Sequence, residues 1–450
     1  MRFLATVLLS LSMAFQGEAQ APPAEEQPYL FSVLPLINRG DLATAEEQLR
    51  AGLSQYPRSA ILYNALGIVY GKQKKPEAAA ASFRHALEIL PSFTAAQLQL
   101  AAIEQQQGNK QEAARWFSAA GDSTTNFDAL VAAGMGLADC EDYSGAARVL
   151  EKAHAANPNA DAVSYNLALA QYKGGRLKEA LESLQSFAAG ERQPDFLYLH
   201  GKILDGLGMP GGASEIIAAC GERPGNETVC TDAALAAIRQ QRFLEAVTML
   251  QQAIEKSPAS VPLLSLLGLA QFRLGRYHDA IANYAAALER DPRVDASREG
   301  LGFLWYVTGD LEKARSVIEA GLKNPNADHY LFHLEAMVLY RTSPKLLAQA
   351  LDAINRSIQA NERFAPSYFL RGKIRMEQAD LHGALADFEH AVELDPKYPL
   401  PYYKMSQIYT RLGRAQQSEA ARRRFSELGN LREEEVLARQ TQDVLMPAAR

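Results

Sequence analysis

A glycine-rich segment is the first part of this sequence whose residue types and spacing could do chemistry. Gly206, Gly208 and Gly211 match the pattern G-x-G-x-x-G, and Asp232 follows about twenty residues later. In a dinucleotide-binding fold, such a segment joins a β-strand to a helix and cradles a pyrophosphate. No βαβ pattern surrounds the glycines here, so we interpret the segment as a turn between two helices.

His329 and His333 lie four residues apart in the segment HYLFHLE. In a helix, this spacing places two imidazoles on one face, where they could hold a metal ion. Glu335 lies beyond the pair, so the zinc-protease pattern H-E-x-x-H is absent, and no third ligand is apparent. Nucleophile elbows, Walker loops and zinc-type cysteine clusters are also missing. We therefore expect no catalytic residue, no metal site and no cofactor.

Cys220 and Cys230 bracket the segment CGERPGNETVC, between the end of one predicted helix and the start of the next. Because such helices should be neighbours, a disulfide is one expectation if the protein is exported, and two buried free thiols are the alternative. Cys140 is left unpaired, and three cysteines cannot form a disulfide framework.

The composition is that of a soluble and mildly acidic chain. Of its 450 residues, 48% are hydrophobic and 22% are charged, which excludes a disordered or collagen-like protein. The formal net charge of −6 argues against broad, sequence-independent nucleic-acid binding, which usually accompanies a basic surface.

The first residues resemble a secretory leader. Arg2 precedes the apolar stretch 3–15, which is too short to span a bilayer comfortably. Small residues allow cleavage after Ala19 or after Ala21. We expect export to a periplasm or to the outside of the cell, with a signal peptide over residues 1–21.

An alanine recurs at intervals of 33 to 36 residues along nearly the whole chain. The positions are Ala45, Ala79, Ala113, Ala146, Ala180, Ala213, Ala246, Ala280, Ala314, Ala350 and Ala384. In most units a small residue lies twelve positions earlier, a turn that often contains glycine lies five earlier, and a large apolar residue lies four later. Proline often closes the unit.

This repeat predicts stacked pairs of amphipathic helices. Apolar residues at three- and four-residue steps in each half of the unit indicate a helix. A glycine between the halves supplies the positive φ that ends the first helix. Small residues let the two backbones approach, and the large residue fills the space one turn further on. Because one hairpin cannot bury both of its apolar faces, many hairpins must stack into a solenoid.

The unit is similar to the tetratricopeptide repeat, a helix–turn–helix of about 34 residues. The closest segments are LYNALGIVYGKQKKPEAAAASFRHALEILP and LLSLLGLAQFRLGRYHDAIANYAAALERDP. The resemblance implies an all-α, right-handed superhelix of about twelve units. After a linker over 22–25 the units span 26–59, 60–93, 94–126, 127–160, 161–193, 194–226, 227–260, 261–294, 295–328, 329–364, 365–398 and 399–432, and a tail covers 433–450. Units near 121–126, 190–226 and 341–345 are irregular.

The resemblance also implies a binding groove lined by the first helices. Carried over unit by unit, the family's groove positions are Phe272, Arg273, Phe303, Tyr306, Tyr330, His333, Tyr340, Arg341, Phe369, Lys373, Tyr403 and Arg411. Earlier units add Tyr165, Tyr172, Lys173, Tyr198 and Lys202. Aromatic residues flanked by cations suit an extended peptide or a glycan. The alternative for many of them is packing between helices. The family's carboxylate clamp and its asparagine ladder are not found.

We therefore expect an exported, non-enzymatic scaffold that binds an extended protein segment in its groove. One alternative is a glycan-handling accessory factor in polysaccharide export or cell-envelope assembly. Another is a purely structural scaffold that uses the edge of the solenoid. The expected partner is a protein or peptide, with a glycan left open. We expect no nucleic-acid partner and no stable membrane insertion after the leader is removed.

Overall fold

A computed structural model describes residues 26–185, 193–429 and 436. The predicted signal peptide and the linker lie outside these residues, and so does the predicted tail apart from Val436. Export and cleavage therefore stay predictions.

Over the described residues the chain is a succession of α-helices, which form twelve consecutive pairs without any β-strand. The first helices are α1 Gln27–Arg39, α3 Ala60–Lys72, α5 Thr94–Gln106, α7 Phe127–Asp139, α9 Asp161–Lys173, α11 Pro194–Gly206, α13 Glu227–Arg239, α15 Val261–Arg273, α17 Asp295–Thr308, α19 His329–Thr342, α21 Ala365–Glu377 and α23 Pro399–Arg411. The second helices are α2 Leu42–Gln55, α4 Pro76–Ile89, α6 Lys110–Ser123, α8 Tyr143–Ala156, α10 Leu177–Leu184, α12 Gly212–Glu222, α14 Phe243–Lys256, α16 Tyr277–Arg290, α18 Leu311–Leu322, α20 Leu347–Ala360, α22 Leu381–Leu394 and α24 Ala415–Glu427. The predicted all-α fold of about twelve helical hairpins is confirmed.

The chain divides into two compact units, residues 1–212 and 213–450, which we call unit 1 and unit 2. Unit 1 contains α1 to α11 and unit 2 contains α12 to α24. None of these helices combines the length and the apolar composition that a bilayer-spanning helix requires.

Close helix contact inside each hairpin depends on a small residue that faces a large one. A Cβ atom added to Gly67 of α3 would lie 2.6 Å from the Phe83 ring of α4. The same construction at Gly372 of α21 meets the Phe388 ring of α22, also at 2.6 Å. Both rings are buried. The predicted pairing of small and large repeat positions is therefore the packing that holds each of these hairpins together.

The turns between paired helices use the left-handed backbone region. The glycines with positive φ in these turns include Gly40, Gly108, Gly175, Gly208, Gly275, Gly309 and Gly413. At the same place in four other hairpins the residue is not glycine, yet φ is still positive: Lys74, Glu141, Gln241 and Ala379. A side chain with a Cβ is disfavoured there, so these four turns are less favourable than their glycine counterparts.

Replacing Ala379 by glycine should therefore stabilise unit 2. Its φ is 62°, and its side chain is exposed, so the substitution removes backbone strain without removing packing. We expect the free energy of unfolding to rise by about 0.5–1 kcal/mol, measured by urea denaturation. The converse change, Gly413→Ala in the turn before α24, where φ is 70°, should lower it by about 1 kcal/mol. A loss of stability in Ala379→Gly would contradict this explanation of the turns.

A disulfide joins the end of α12 to the start of α13. The sulfur atoms of Cys220 and Cys230 are 2.02 Å apart and the Cα atoms are 4.9 Å apart. Cys140 is a buried free thiol in unit 1.

Candidate functional site

The first helices of unit 2 carry all twelve of the predicted groove residues, and burial divides them into two groups. Five are buried, with side chains 1–4% exposed: Phe272, Phe303, Tyr330, His333 and Phe369. The other seven are half-buried or exposed: Arg273, Tyr306, Tyr340, Arg341, Lys373, Tyr403 and Arg411. The positions predicted in earlier units, such as Tyr172 and Lys173, are also half-buried or exposed.

The five buried residues pack in the core, and in this structure their side chains offer almost no surface to a ligand. The Phe272 ring meets the Phe303 ring edge-on, with centroids 5.6 Å apart, and the two side chains lie on successive first helices. Phe369 packs against Tyr398 and Phe388, with ring centroids 5.2 and 5.7 Å away. Because successive first helices pack against each other through some of the predicted groove positions, the residues at those positions are removed from solvent.

The buried histidine is held as a neutral side chain. Nδ1 of His333 lies 3.2 Å from the Ser367 hydroxyl, and its ring stacks on Tyr330 with centroids 5.9 Å apart. Burial lowers the pKa of His333 to about 3, and the neighbouring His329 adds to this effect. His329 and His333 both pack edge-on against the Phe364 ring, with centroids 4.8 and 5.3 Å away. The described residues contain no group of three potential metal ligands.

The accessible residues form two cation–aromatic contacts that continue from one first helix to the next. We call Tyr306, Tyr340, Arg341 and Lys373 the cation–tyrosine row. The Arg341 guanidinium lies 5.0 Å from the centre of the Tyr306 ring, and its Nη1 donates to the Tyr306 carbonyl at 2.8 Å. Nζ of Lys373 lies 4.9 Å from the centre of the Tyr340 ring. The row spans α17, α19 and α21 and combines two cations with two half-buried tyrosine rings.

Aromatic contacts also occur at the two ends of the candidate face, a cation–ring contact at one end and a ring–ring contact at the other. Arg273 covers the Phe243 ring at 4.9 Å. Tyr403 is 42% exposed and packs against Phe425 with ring centroids 5.3 Å apart. Arg273 and Arg411 each end a first helix, where a cation also interacts favourably with the helix dipole. Part of the charge on this face is therefore explained by helix stability alone.

The glycine-rich segment forms a turn, as interpreted from the sequence. Gly208 and Gly211 have φ values of 67° and 98° between the end of α11 and the start of α12. No strand precedes them among the described residues, so the dinucleotide-binding geometry is absent there.

A buried charge cluster in hairpin α21–α22 was not predicted. The Asp387 carboxylate is 4% exposed and accepts hydrogen bonds from Nη2 of Arg371 at 2.7 Å and from Nη1 of Arg375 at 2.9 Å. Arg371 also donates to the side chain of Asn355 on α20. The four-residue spacing of the two arginines was visible in the sequence, but the burial of Asp387 was not.

A second missed feature is the carboxyl group of Glu299, which is 3% exposed on α17. Burial raises its pKa well above the usual range, and the negative charge of Asp328 raises it further. This side chain is enclosed in the core and offers no surface to a ligand.

Comparison with protein-family models identifies the repeat. Models described as "Tetratricopeptide repeat" match residues 36–92, 137–203, 231–277, 265–329 and 365–398, which together make up more than half of the chain. The chain belongs to the tetratricopeptide-repeat (TPR) family. Proteins built from TPR units serve as scaffolds for protein interaction, and the concave faces of such solenoids are extended binding surfaces. A search among curated proteins found no match.

Solved structures of other helical-repeat proteins resemble this TPR protein at low identity. The Cut9–Hcn1 hetero-tetramer of the APC/C aligns over 94% of this chain and 97% of that chain, with 12% identity and a TM-score of 0.45. Yeast Tom70 aligns over 93% and 99%, with 13% identity and a TM-score of 0.39. YrrB, titled a TPR protein with an unusual peptide-binding site, aligns over 42% and 97%, with 19% identity and a TM-score of 0.32. Family membership rests on the repeat matches.

Proposed function

We propose that this TPR protein is a non-enzymatic scaffold that binds an extended protein segment along the first helices of unit 2. The observation that carries the proposal is the cation–tyrosine row. Its two cation–ring pairs repeat on successive first helices. They remain partly accessible, while five other predicted groove residues are buried.

The row favours a segment with acidic and aromatic side chains. Arg341 can offer a bidentate contact to a carboxylate, and Lys373 a second positive charge. The rings of Tyr306 and Tyr340 can stack on aromatic side chains. Packed helix axes lie about 10 Å apart. An extended chain advances about 3.3 Å per residue, so equivalent contacts should recur about every third residue of the ligand.

Removing both cations of the row should weaken binding of such a segment at least tenfold. The probe is a fluorescein-labelled, extended peptide with aspartate at every third residue and one tyrosine, titrated with the full chain and followed by fluorescence anisotropy. Losing two charge-assisted contacts worth roughly 1 kcal/mol each accounts for an effect of this size in the variant Arg341→Ala/Lys373→Ala.

The matched control is Lys256→Ala/Arg290→Ala, which removes two exposed cations from the ends of the second helices α14 and α16. It changes the net charge equally and should leave affinity within twofold. Equal losses in the two double variants would show that binding depends on net charge and not on the row. Binding of an oligosaccharide in preference to the peptide would overturn the proposal in favour of a glycan ligand.

We also propose that the protein is exported. Support comes from the positive residue, short apolar stretch and small-residue cleavage sites at the N-terminus, together with a disulfide of the kind that persists in oxidising compartments. N-terminal sequencing of the protein from its native host should find a chain that starts at Gln20 or Pro22. A mature chain that starts at Met1 would refute export by cleavage.

A further inference from the structure

A cleft in unit 2 lies between the second helices α18 and α20, and residues of the first helix α19 line it between them. Its volume is about 450 Å³, which falls in the range of small ligand sites. The interval between Ala314 and Ala350 is 36 residues, and the additional length forms a 3₁₀ turn at Pro344–Leu346 in place of the usual glycine turn.

The floor of the cleft is apolar and the rim is polar. Ile318, Val338 and Leu339 are 1%, 2% and 7% exposed, so they form a packed surface beneath the opening. Ala348 and Ala353 line the α20 side of the cleft with small side chains. Such a floor suits the aliphatic part of a long side chain.

Three carboxylates line the cleft, and the basic side chains around them leave an excess of negative charge. Glu319 is paired with Arg315, with Nε and Oε1 2.6 Å apart. Asp352 makes no salt bridge within the described part of the chain. Glu335 has its Oε2 atom buried without a hydrogen-bond donor, and the nearest basic nitrogen, on Arg356, is 3.8 Å away.

Glu335 is a partly buried carboxylate whose salt bridge to Arg356 is too long for a hydrogen bond. Burial raises its pKa above the usual range, and the charges of Asp352 and Glu319 raise it further, while Arg356 and Arg315 act in the opposite direction. A donor of several N–H groups placed between Glu335 and Asp352 would satisfy the buried oxygen and relieve this repulsion.

We propose that the cleft binds an arginine side chain presented by a protein segment, as a second docking site apart from the cation–tyrosine row. The planar guanidinium offers five N–H donors in a geometry that matches carboxylates, and its three-carbon stem would cover Val338 and Leu339. The apolar floor distinguishes this site from a simple acidic surface. The charge of the occupant is opposite to that expected at the first-helix face.

The test is a titration of methyl-labelled full-length protein with a capped five-residue peptide that has one central arginine among alanine and glycine. We expect saturable shifts of the Ile318, Val338 and Leu339 methyl resonances. The same peptide with citrulline, a neutral isostere of arginine, should produce none. Asp352→Asn should weaken arginine-peptide binding at least tenfold, and Asp352→Glu should restore most of the affinity.

Two further arms make the outcome decisive. Glu289→Gln removes one exposed carboxylate from α16 and should leave the titration unchanged. Arg341→Ala/Lys373→Ala should also leave it unchanged, because we expect that variant to weaken binding only at the first-helix face. Equal shifts with arginine and citrulline, or unchanged affinity in Asp352→Asn, would overturn the proposal. Free spermidine binding more tightly than the peptide would also overturn it, since the ligand would then be a small amine.

Discussion

Replacing Asp387 by alanine is expected to lower the free energy of unfolding by about 3 kcal/mol. The substitution leaves Arg371 and Arg375 without the carboxylate that both contact, and their side chains are only 18% and 30% exposed. Removing one member of a buried charge cluster lowers the free energy of unfolding by more than the intact cluster contributes to it, because the remaining charges are poorly solvated. Urea denaturation of wild type and variant measures the difference.

The matched control is an exposed ion pair of the same unit. Glu419 and Arg423 on α24 are 78% and 71% exposed and 3.8 Å apart. Glu419→Ala should change stability by less than about 0.5 kcal/mol, as solvent screens such pairs. A similar small change for Asp387→Ala would mean that water reaches the cluster and that its burial has no energetic consequence.

Replacing Gly67 by alanine should destabilise unit 1 by about 2 kcal/mol, although alanine is the better helix former. The new methyl group would lie 2.6 Å from the buried Phe83 ring. Either the ring must leave its rotamer or α3 and α4 must separate, and both outcomes reduce packing across the hairpin. The change is measured as a shift of the urea midpoint.

Gly71, four residues along the same helix, provides an internal control. A Cβ atom added there meets nothing within 4 Å, and the residue is exposed. Gly71→Ala should therefore stabilise the protein by about 0.5–1 kcal/mol through helix propensity alone. If both substitutions stabilise the protein, close helix approach is not what requires a small residue at position 67.

The sequence predicted the hairpins because their physics is local and repeated. Three features recur in register in most units: the turn glycine, the small residue of the first helix and the large residue that faces it. Each unit therefore supports the interpretation of its neighbours. The left-handed turn at Ala379 shows the limit of reading residue types alone. Position in the repeat imposed the backbone conformation there, and no glycine marked it.

The candidate site was less predictable because burial at the first-helix face depends on contacts between units. Three aromatic residues each lie in the last turn of a first helix: Phe272, Tyr306 and Tyr340. Only Phe272 is buried. Residue type alone does not decide burial on this face, since Tyr330 of α19 is 2% exposed while Tyr340 of the same helix is half-buried. The cleft beside α20 was equally hard to predict, since an interval of 36 residues indicates an irregular turn but not a cavity.

Site-specific photo-crosslinking tests most directly whether the first-helix face of unit 2 binds a protein segment. Benzoylphenylalanine replaces Tyr340 in one variant and Leu244 in another, where Leu244 is 60% exposed on the second helix α14. Each variant is irradiated with the aspartate-containing peptide and analysed by mass spectrometry. We predict an adduct at position 340 and none at 244. Adduct formation only at 244, or equally at both positions, would contradict binding at the first-helix face.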